Sequence, residues 1–318
     1  MSLPALPPLP AATTELPPGL TAGRLDVDPV FLGPRRGRVR RWMYAAAGDE
    51  VRAVGAAVVD LGFAGTAFVW ALVDGQVTTW ERTRPLARGC RVGSLPAHGG
   101  ALTGRDTVRI GGDGSLAIDV LPAGGSERLR ARLTAGEVTP AVLVTGTAGG
   151  GWNVTQKAAG YAVSGELGWA GATTPFAGGG WRDWTAGRQD RRTSWHWAAG
   201  AGATRDGTAR VGLNVSTGMN DAGAGEDVVW WDGVPSPLEA STLAPASGDV
   251  AGPWIVAGPG WRLELEPVGV RAADEQLVLV ASRYVQPVGR FVGTLPGPDG
   301  RPRQVELTGV TERHVARW

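Results

Sequence analysis

The sequence predicts an all-β protein made of two duplicated antiparallel units, and three observations carry that prediction. Five Asp-Gly pairs punctuate the 318 residues, at Asp74-Gly75, Asp113-Gly114, Asp206-Gly207, Asp232-Gly233 and Asp299-Gly300. Between alternating or β-branched runs, this pair is the strongest short-range hairpin signal, because both residues tolerate the positive φ of a two-residue turn. Helix signals are almost absent: no segment combines an N-cap, a sustained 3.6-residue apolar period and freedom from glycine. The 50 glycines and 23 prolines amount to roughly double ordinary usage. Finally, a weak internal repeat runs through the chain. Trp42-Met43-Tyr44-Ala45-Ala46 resembles Trp195-His196-Trp197-Ala198-Ala199, and Val54-Gly55 resembles Val211-Gly212. Asp74-Gly75, preceded by Trp70, resembles Asp232-Gly233, preceded by Trp230 and Trp231. The order is kept and the offset is nearly constant, as a duplication requires.

In chain order, residues 1–21 form a Pro-rich arm. They carry no basic leader and no uninterrupted apolar stretch, so the expectation is a flexible arm and not a secretory signal. The Gly-rich segment Thr145–Gly151 is read as the junction of two β units, 22–147 and 148–318. In the first unit, Thr66–Val73 leads into Asp74-Gly75, and Ser115–Val120 follows Asp113-Gly114. Glu127–Ala135 alternates, with Leu129, Ala131 and Leu133 on one face and Arg128, Arg130 and Arg132 on the other, the pattern of a strand with one solvated face. In the second unit, Asp227–Trp231 leads into Asp232-Gly233.

Composition narrows the function classes. No apolar run approaches the ~20 residues of a membrane span, so the expectation is a soluble, cytoplasmic protein without a transmembrane segment. Cys90 is the only cysteine, which excludes disulfides, cysteine zinc sites and CxxC redox chemistry. Lys and Arg total 31 against 30 Asp and Glu, a net charge of +1 that leaves no nucleic-acid footprint; Lys157 is the single lysine. There is no G-x-S-x-G elbow, no G-x-x-x-x-G-K loop and no G-x-G-x-x-G turn, and His98, His196 and His314 lie far apart without a short ligand pair. No metal and no cofactor are therefore expected.

Aromatic and polar residues concentrate between Trp181 and Asp232. On a strand, Thr193, Trp195 and Trp197 share one face, and two tryptophans so spaced make a flat apolar wall; Trp42 and Tyr44 make its counterpart in the first unit. These rings either line a ligand cavity or fill a barrel core. Asp183 sits between Trp181 and Trp184, where a carboxyl among apolar rings is raised in pKa and becomes a proton donor; the other reading is a turn or capping aspartate. Glu226 is a second candidate acid, or the ion-pair partner of Arg191 or Arg192. Trp184, Arg191 and Asn214 join the ligand-binding candidates, Asn214 as a group that orients a ligand hydroxyl or a water, with Asn220 just beyond it. His314 beside Glu312 reads as an oriented acid–base pair, or as part of a terminal strand closing a sheet.

Several stretches together resemble the bacterial DUF2804 family, a domain of unknown function: Arg41–Tyr44, Val59–Val69, Thr155–Lys157 on to Glu166, Thr193–Ala198, Val211–Asn214, Trp231–Gly233, Pro253-Trp254, Gly289–Thr294 and Glu312–Trp318. The family is distantly similar to the carotenoid 1,2-hydratase and AttH group, whose members pair two lipocalin-like β-barrels. The resemblance thus implies two lipocalin-like antiparallel β-barrel units, with a hydrophobic small molecule, lipid or isoprenoid, as partner. It also implies an alternative: a cofactor-independent hydratase, isomerase or cyclase that protonates an isoprenoid double bond with a carboxylic acid such as Asp183, Glu226 or the His314 pair. A Trp-rich carbohydrate-binding or structural β protein is a third class. The sequence specifies no oligomeric state.

Overall fold

The computed structural model describes residues 3–5, 19–26, 28–29, 39–219, 225–276 and 281–317. Most of the Pro-rich arm and Asn220 lie outside them. Among the described residues there is no α-helix, and a 3₁₀ turn spans Pro96–His98. The strands are β1 (Gly19–Ala22), β2 (Arg40–Gly48), β3 (Ala53–Asp60), β4 (Ala64–Val73), β5 (Gln76–Pro85), β6 (Cys90–Val92), β7 (Gly100–Leu102), β8 (Thr107–Ile110), β9 (Leu116–Val120), β10 (Leu129–Ala135) and β11 (Ala141–Gly146). They continue with β12 (Trp152–Trp169), β13 (Ala172–Gly187), β14 (Arg192–Thr204), β15 (Arg210–Thr217), β16 (Val228–Trp231), β17 (Val234–Pro237), β18 (Thr242–Pro245), β19 (Trp254–Gly258), β20 (Trp261–Gln276), β21 (Ala281–Pro296) and β22 (Pro302–Arg317).

All five Asp-Gly pairs sit in hairpin turns. In the β4–β5 and β16–β17 turns, both residues take positive φ (52° and 74°, then 48° and 84°), as a two-residue turn matched to strand twist demands. The alternation in Glu127–Ala135 also holds: Leu129, Ala131 and Leu133 are buried in β10 while Arg130 and Arg132 are exposed.

The strands form two sheets, a nearly closed barrel and a half-barrel. The first runs β5-β4-β3-β2-β13-β12-β10-β9-β8-β7-β6, with β11 branching from β12 and β1 pairing β11; the second runs β17-β16-β15-β14-β22-β21-β20-β19-β18. Each opens with a four-strand meander, and in each the last strand returns to pair with the first, β13 with β2 and β22 with β14. The two orders superimpose strand for strand along β5–β13 and β17–β22, so the repeat seen in sequence is a duplication of topology. The sheets change over between Gly187 and Arg192, whereas the repeat together with the Gly-rich Thr145–Gly151 suggested a junction at 147/148. The Gly-rich Thr147–Gly151 is instead the turn between β11 and β12, closed by Thr147 N–H to Gly151 O.

Trp70, Trp181, Trp184, Trp230 and Trp254 are fully buried and fill the interiors, and one apolar cluster continues from the first sheet into Trp197, Val288 and Val310 of the second. Where the sheets touch, Gly160 at the β12 bulge lies against Gly212 of β15. A Cβ on Gly212 would stand 2.3 Å from Ala159 C and 2.4 Å from Gly160 N, both backbone atoms that cannot swing aside. Gly212→Ala is therefore expected to destabilise the protein by about 1–3 kcal/mol through overpacking. Urea unfolding checks this, and an unchanged midpoint would mean that the sheets are not in contact here.

Candidate functional site

Antiparallel register puts directly paired residues on the same sheet face. In the first unit, one such row crosses six strands: Lys157 (β12), Asp183 (β13), Tyr44 (β2), Ala57 (β3), Phe68 (β4) and Glu81 (β5). The next row contains Thr155, Thr185, Trp42 and Val59. In the second unit, Ser216 (β15), Trp197 (β14) and Glu312 (β22) form one row, and Trp195, His314 and Tyr284 (β21) the next. The two faces enclose a cavity of about 190 Å³ between the units, walled by Trp42, Tyr44, Phe68, Trp195, Trp197 and Tyr284 among others. Tyr44 and Trp197, which occupy equivalent positions of the repeat, meet edge to face at 5.2 Å.

Charged groups sit inside this apolar frame. Lys157 Nζ lies 3.3 Å from Asp183 Oδ2 and 3.2 Å from Glu226 Oε2, and 5.6 Å over the Trp197 ring. Asp183 also accepts hydrogen bonds from Trp42 Nε1 (2.8 Å), Thr155 Oγ1 (2.9 Å) and Thr185 Oγ1 (3.1 Å). The second unit repeats the motif with one change. Glu312, opposite Trp197 as Asp183 is opposite Tyr44, accepts from Trp195 Nε1 (3.0 Å), but the neighbouring strand supplies Gln286 Nε2 (2.7 Å) where the first unit supplies Lys157. His314 Nδ1 lies 3.3 Å from Glu312 Oε1, and His314 Nε2 lies 2.9 Å from Ser282 Oγ. Arg271 stacks on Phe68 (3.6 Å) and Tyr284 (4.1 Å) and pairs with Glu81 across the units at 3.4 Å.

The environments pull these groups apart. Burial alone would lower the Lys157 ammonium, but Asp183 and Glu226 outweigh it and hold it above the ordinary lysine range. Burial alone would raise Glu312; the hydrogen bond and charge of His314, with Arg271 and Trp195, outweigh it and the net shift is downward. Glu81 moves the other way, because desolvation exceeds the opposing pull of Arg271.

The family model described as "Domain of unknown function (DUF2804)" matches residues 22–318. The chain belongs to the DUF2804 family. Among solved structures, it is similar to an AttH-like protein from Nitrosomonas europaea at 13% identity and a TM-score of 0.59, covering 94% of this chain and 99% of that one. It is also similar to kievitone hydratase from Nectria haematococca at 10% identity and a TM-score of 0.49, covering 86% and 88%. The first likeness shows that this DUF2804 member shares the paired-barrel fold. No match was found among curated proteins.

Of the residues singled out from the sequence, Trp42, Tyr44, Asp183, Trp195, Trp197, Glu226 and His314 all line this one cavity. Asn214 stands behind it, accepting from Trp197 Nε1 (2.9 Å) and donating to Glu226 O (2.7 Å), so it positions a wall residue and an acid. Trp184 does not belong: adjacent strand residues face opposite ways, and its Nε1 donates to Gly93 O on the far side of the sheet from Asp183. For the same reason Trp184 and Asp183 share no pocket, and Asp183 is ringed by donors where the sequence suggested apolar rings. Arg191 is exposed in the link between β13 and β14, outside the cavity, and Glu226 pairs with Lys157 in its place. Sequence reasoning missed Lys157, Gln286, Arg271, Glu81 and Ser282 as site residues. The one available signal was that Lys157 is the only lysine in the chain. Among the described residues, no cluster of His, Cys, Asp and Glu is arranged to hold a metal ion, and no helix is long and apolar enough to cross a membrane.

Lys157→Met should cost about 3–5 kcal/mol at pH 7, since it strands two buried carboxylates. In the wild type, the raised folded-state pKa of Lys157 means that its contribution is complete below the unfolded value of ~10.4 and is lost only as the pH rises through the folded one. Urea midpoints of both proteins at pH 5, 7 and 10 test this; a variant as stable as the wild type at pH 7 would contradict it.

Proposed function

We propose that this protein binds a compact hydrophobic small molecule, lipid or isoprenoid in class, in the cavity between its two units. The observation that carries the reading is that the equivalent aromatic pairs of the repeat, Trp42 with Tyr44 and Trp195 with Trp197, wall one shared cavity between the units. Small-molecule sites are typically apolar concavities with a few fixed polar groups. Here those groups are Lys157, Asp183, Glu312 and Gln286, and Gln286 leaves its buried Oε1 without a partner, an acceptor for a hydroxyl on the ligand.

Several ionisable side chains reach the cavity, Glu81, Glu312 and His314 among them, and such groups are what chemistry on that molecule would use. A second reading is therefore addition to, or rearrangement of, an isoprenoid double bond after protonation. Asp183 is a poor donor for this step, since every neighbour already donates to it. Glu81, raised by burial and reaching the cavity beside Phe68, is the better one, and the tryptophan faces would stabilise the cation that forms.

Native mass spectrometry of protein purified from its own host is expected to show a one-to-one apolar adduct. The neutral probe N-phenyl-1-naphthylamine should compete for the site, and Trp197→Ala should weaken probe binding about tenfold, the scale of one lost aromatic contact. A protein that is ligand-free and indifferent to the probe would overturn the proposal.

A further inference from the structure

We propose that Ser282, His314 and Glu312 form a nucleophilic triad that hydrolyses an uncharged carboxylic ester of a hydrophobic acid or alcohol in this cavity. The inference rests on the binding reading above and goes beyond it by naming a reaction and a substrate class. All three residues line the cavity. The three groups stand in line: Ser282 Oγ at 2.9 Å from His314 Nε2, and His314 Nδ1 at 3.3 Å from Glu312 Oε1. A hydroxyl on one imidazole nitrogen and a buried carboxylate on the other is the arrangement by which serine nucleophiles are activated on unrelated folds, and it is recognised by geometry and not by chain order. That explains why the missing G-x-S-x-G elbow did not exclude it.

The supporting groups fit the roles. Glu312 is buried and fixed by Trp195 Nε1 on one oxygen and Gln286 Nε2 on the other, so it stays ionised and holds the imidazole in one orientation. Trp195 packs against His314 with ring centroids 4.1 Å apart and planes tilted by 35°, which limits the movement of the imidazole. No other pairing in the structure competes for Ser282 Oγ among the hydrogen bonds of the described residues.

The step balances without any further reactant than water. Ser282 Oγ attacks the ester carbonyl carbon as its proton passes to His314 Nε2. The tetrahedral adduct collapses when the bond to the leaving alkoxide breaks, and His314 returns the proton to that alkoxide, releasing an alcohol and leaving acyl-Ser282. A water then attacks the acyl carbon and gives its proton to His314; the acyl bond to Ser282 breaks, Oγ regains the proton, and a carboxylic acid leaves. Charge selects the substrate: five carboxylates against two cations line the cavity, which disfavours an anion, and the apolar walls favour an uncharged ester.

The test treats the full-length protein with a fluorophosphonate, maps the adduct by peptide mass spectrometry, and follows hydrolysis of p-nitrophenyl butyrate beside N-phenyl-1-naphthylamine binding. The expected result is a phosphonyl group on Ser282, with ester hydrolysis falling roughly a hundredfold or more in Ser282→Ala while that variant still binds the probe. Probe binding without labelling of Ser282 in the wild type would overturn the triad and leave the cavity reading standing. Absence of both would overturn the two together.

Discussion

The buried ion cluster of Lys157, Asp183 and Glu226 is the constraint on which the rest of the site depends. Lys157 and Asp183 belong to the first unit and face each other across β12 and β13; Glu226 precedes β16 of the second. Separating the units would take Glu226 away from Lys157 and leave the ammonium with Asp183 alone, so the Lys157–Glu226 pair favours one docked arrangement over many apolar ones. That arrangement brings Tyr44 onto Trp197 and Arg271 between Phe68 and Glu81, and so encloses the cavity.

Duplication explains both the likeness and the difference of the two walls. Asp183 and Glu312 stand at equivalent positions, each opposite the second aromatic residue of its wall, and each accepts from the indole of the first. The strand beyond supplies a cation to one and a neutral amide to the other. A carboxylate satisfied by an amide and an indole retains the capacity to hold His314 in place, whereas one locked to an ammonium acts mainly as a structural anchor. The difference at this one neighbouring position thus leaves the inter-unit ion pair in one half and the Glu312–His314 contact in the other.

Much of the fold was legible in the sequence because its signals are local. Asp-Gly turns and period-two alternation depend on a few consecutive residues, and the repeat of Trp42-Met43-Tyr44 in Trp195-His196-Trp197 located β2 and β14 at equivalent places in both sheets. The aromatic walls followed from that repeat. What did not follow depends on register between strands far apart in the chain: that Lys157 pairs with Asp183, that Gln286 reaches Glu312, that Arg271 crosses to Glu81. Period-two alternation was itself enough to separate Trp184 from Asp183, and overlooking it there produced the wrong environment for the acid. The unit junction was misplaced because glycines at Thr147–Gly151 serve a tight turn as readily as a linker.

Because Lys157 is the only lysine, its side chain can be observed alone. In protein labelled with ¹⁵N-lysine, the account predicts a single Nζ resonance whose protons exchange slowly at neutral pH and which titrates above the ordinary lysine range, as an ammonium enclosed by two carboxylates must. A rapidly exchanging signal that titrates at or below ~10.4 would place Lys157 in water and contradict the buried cluster, and with it the docking that forms the cavity.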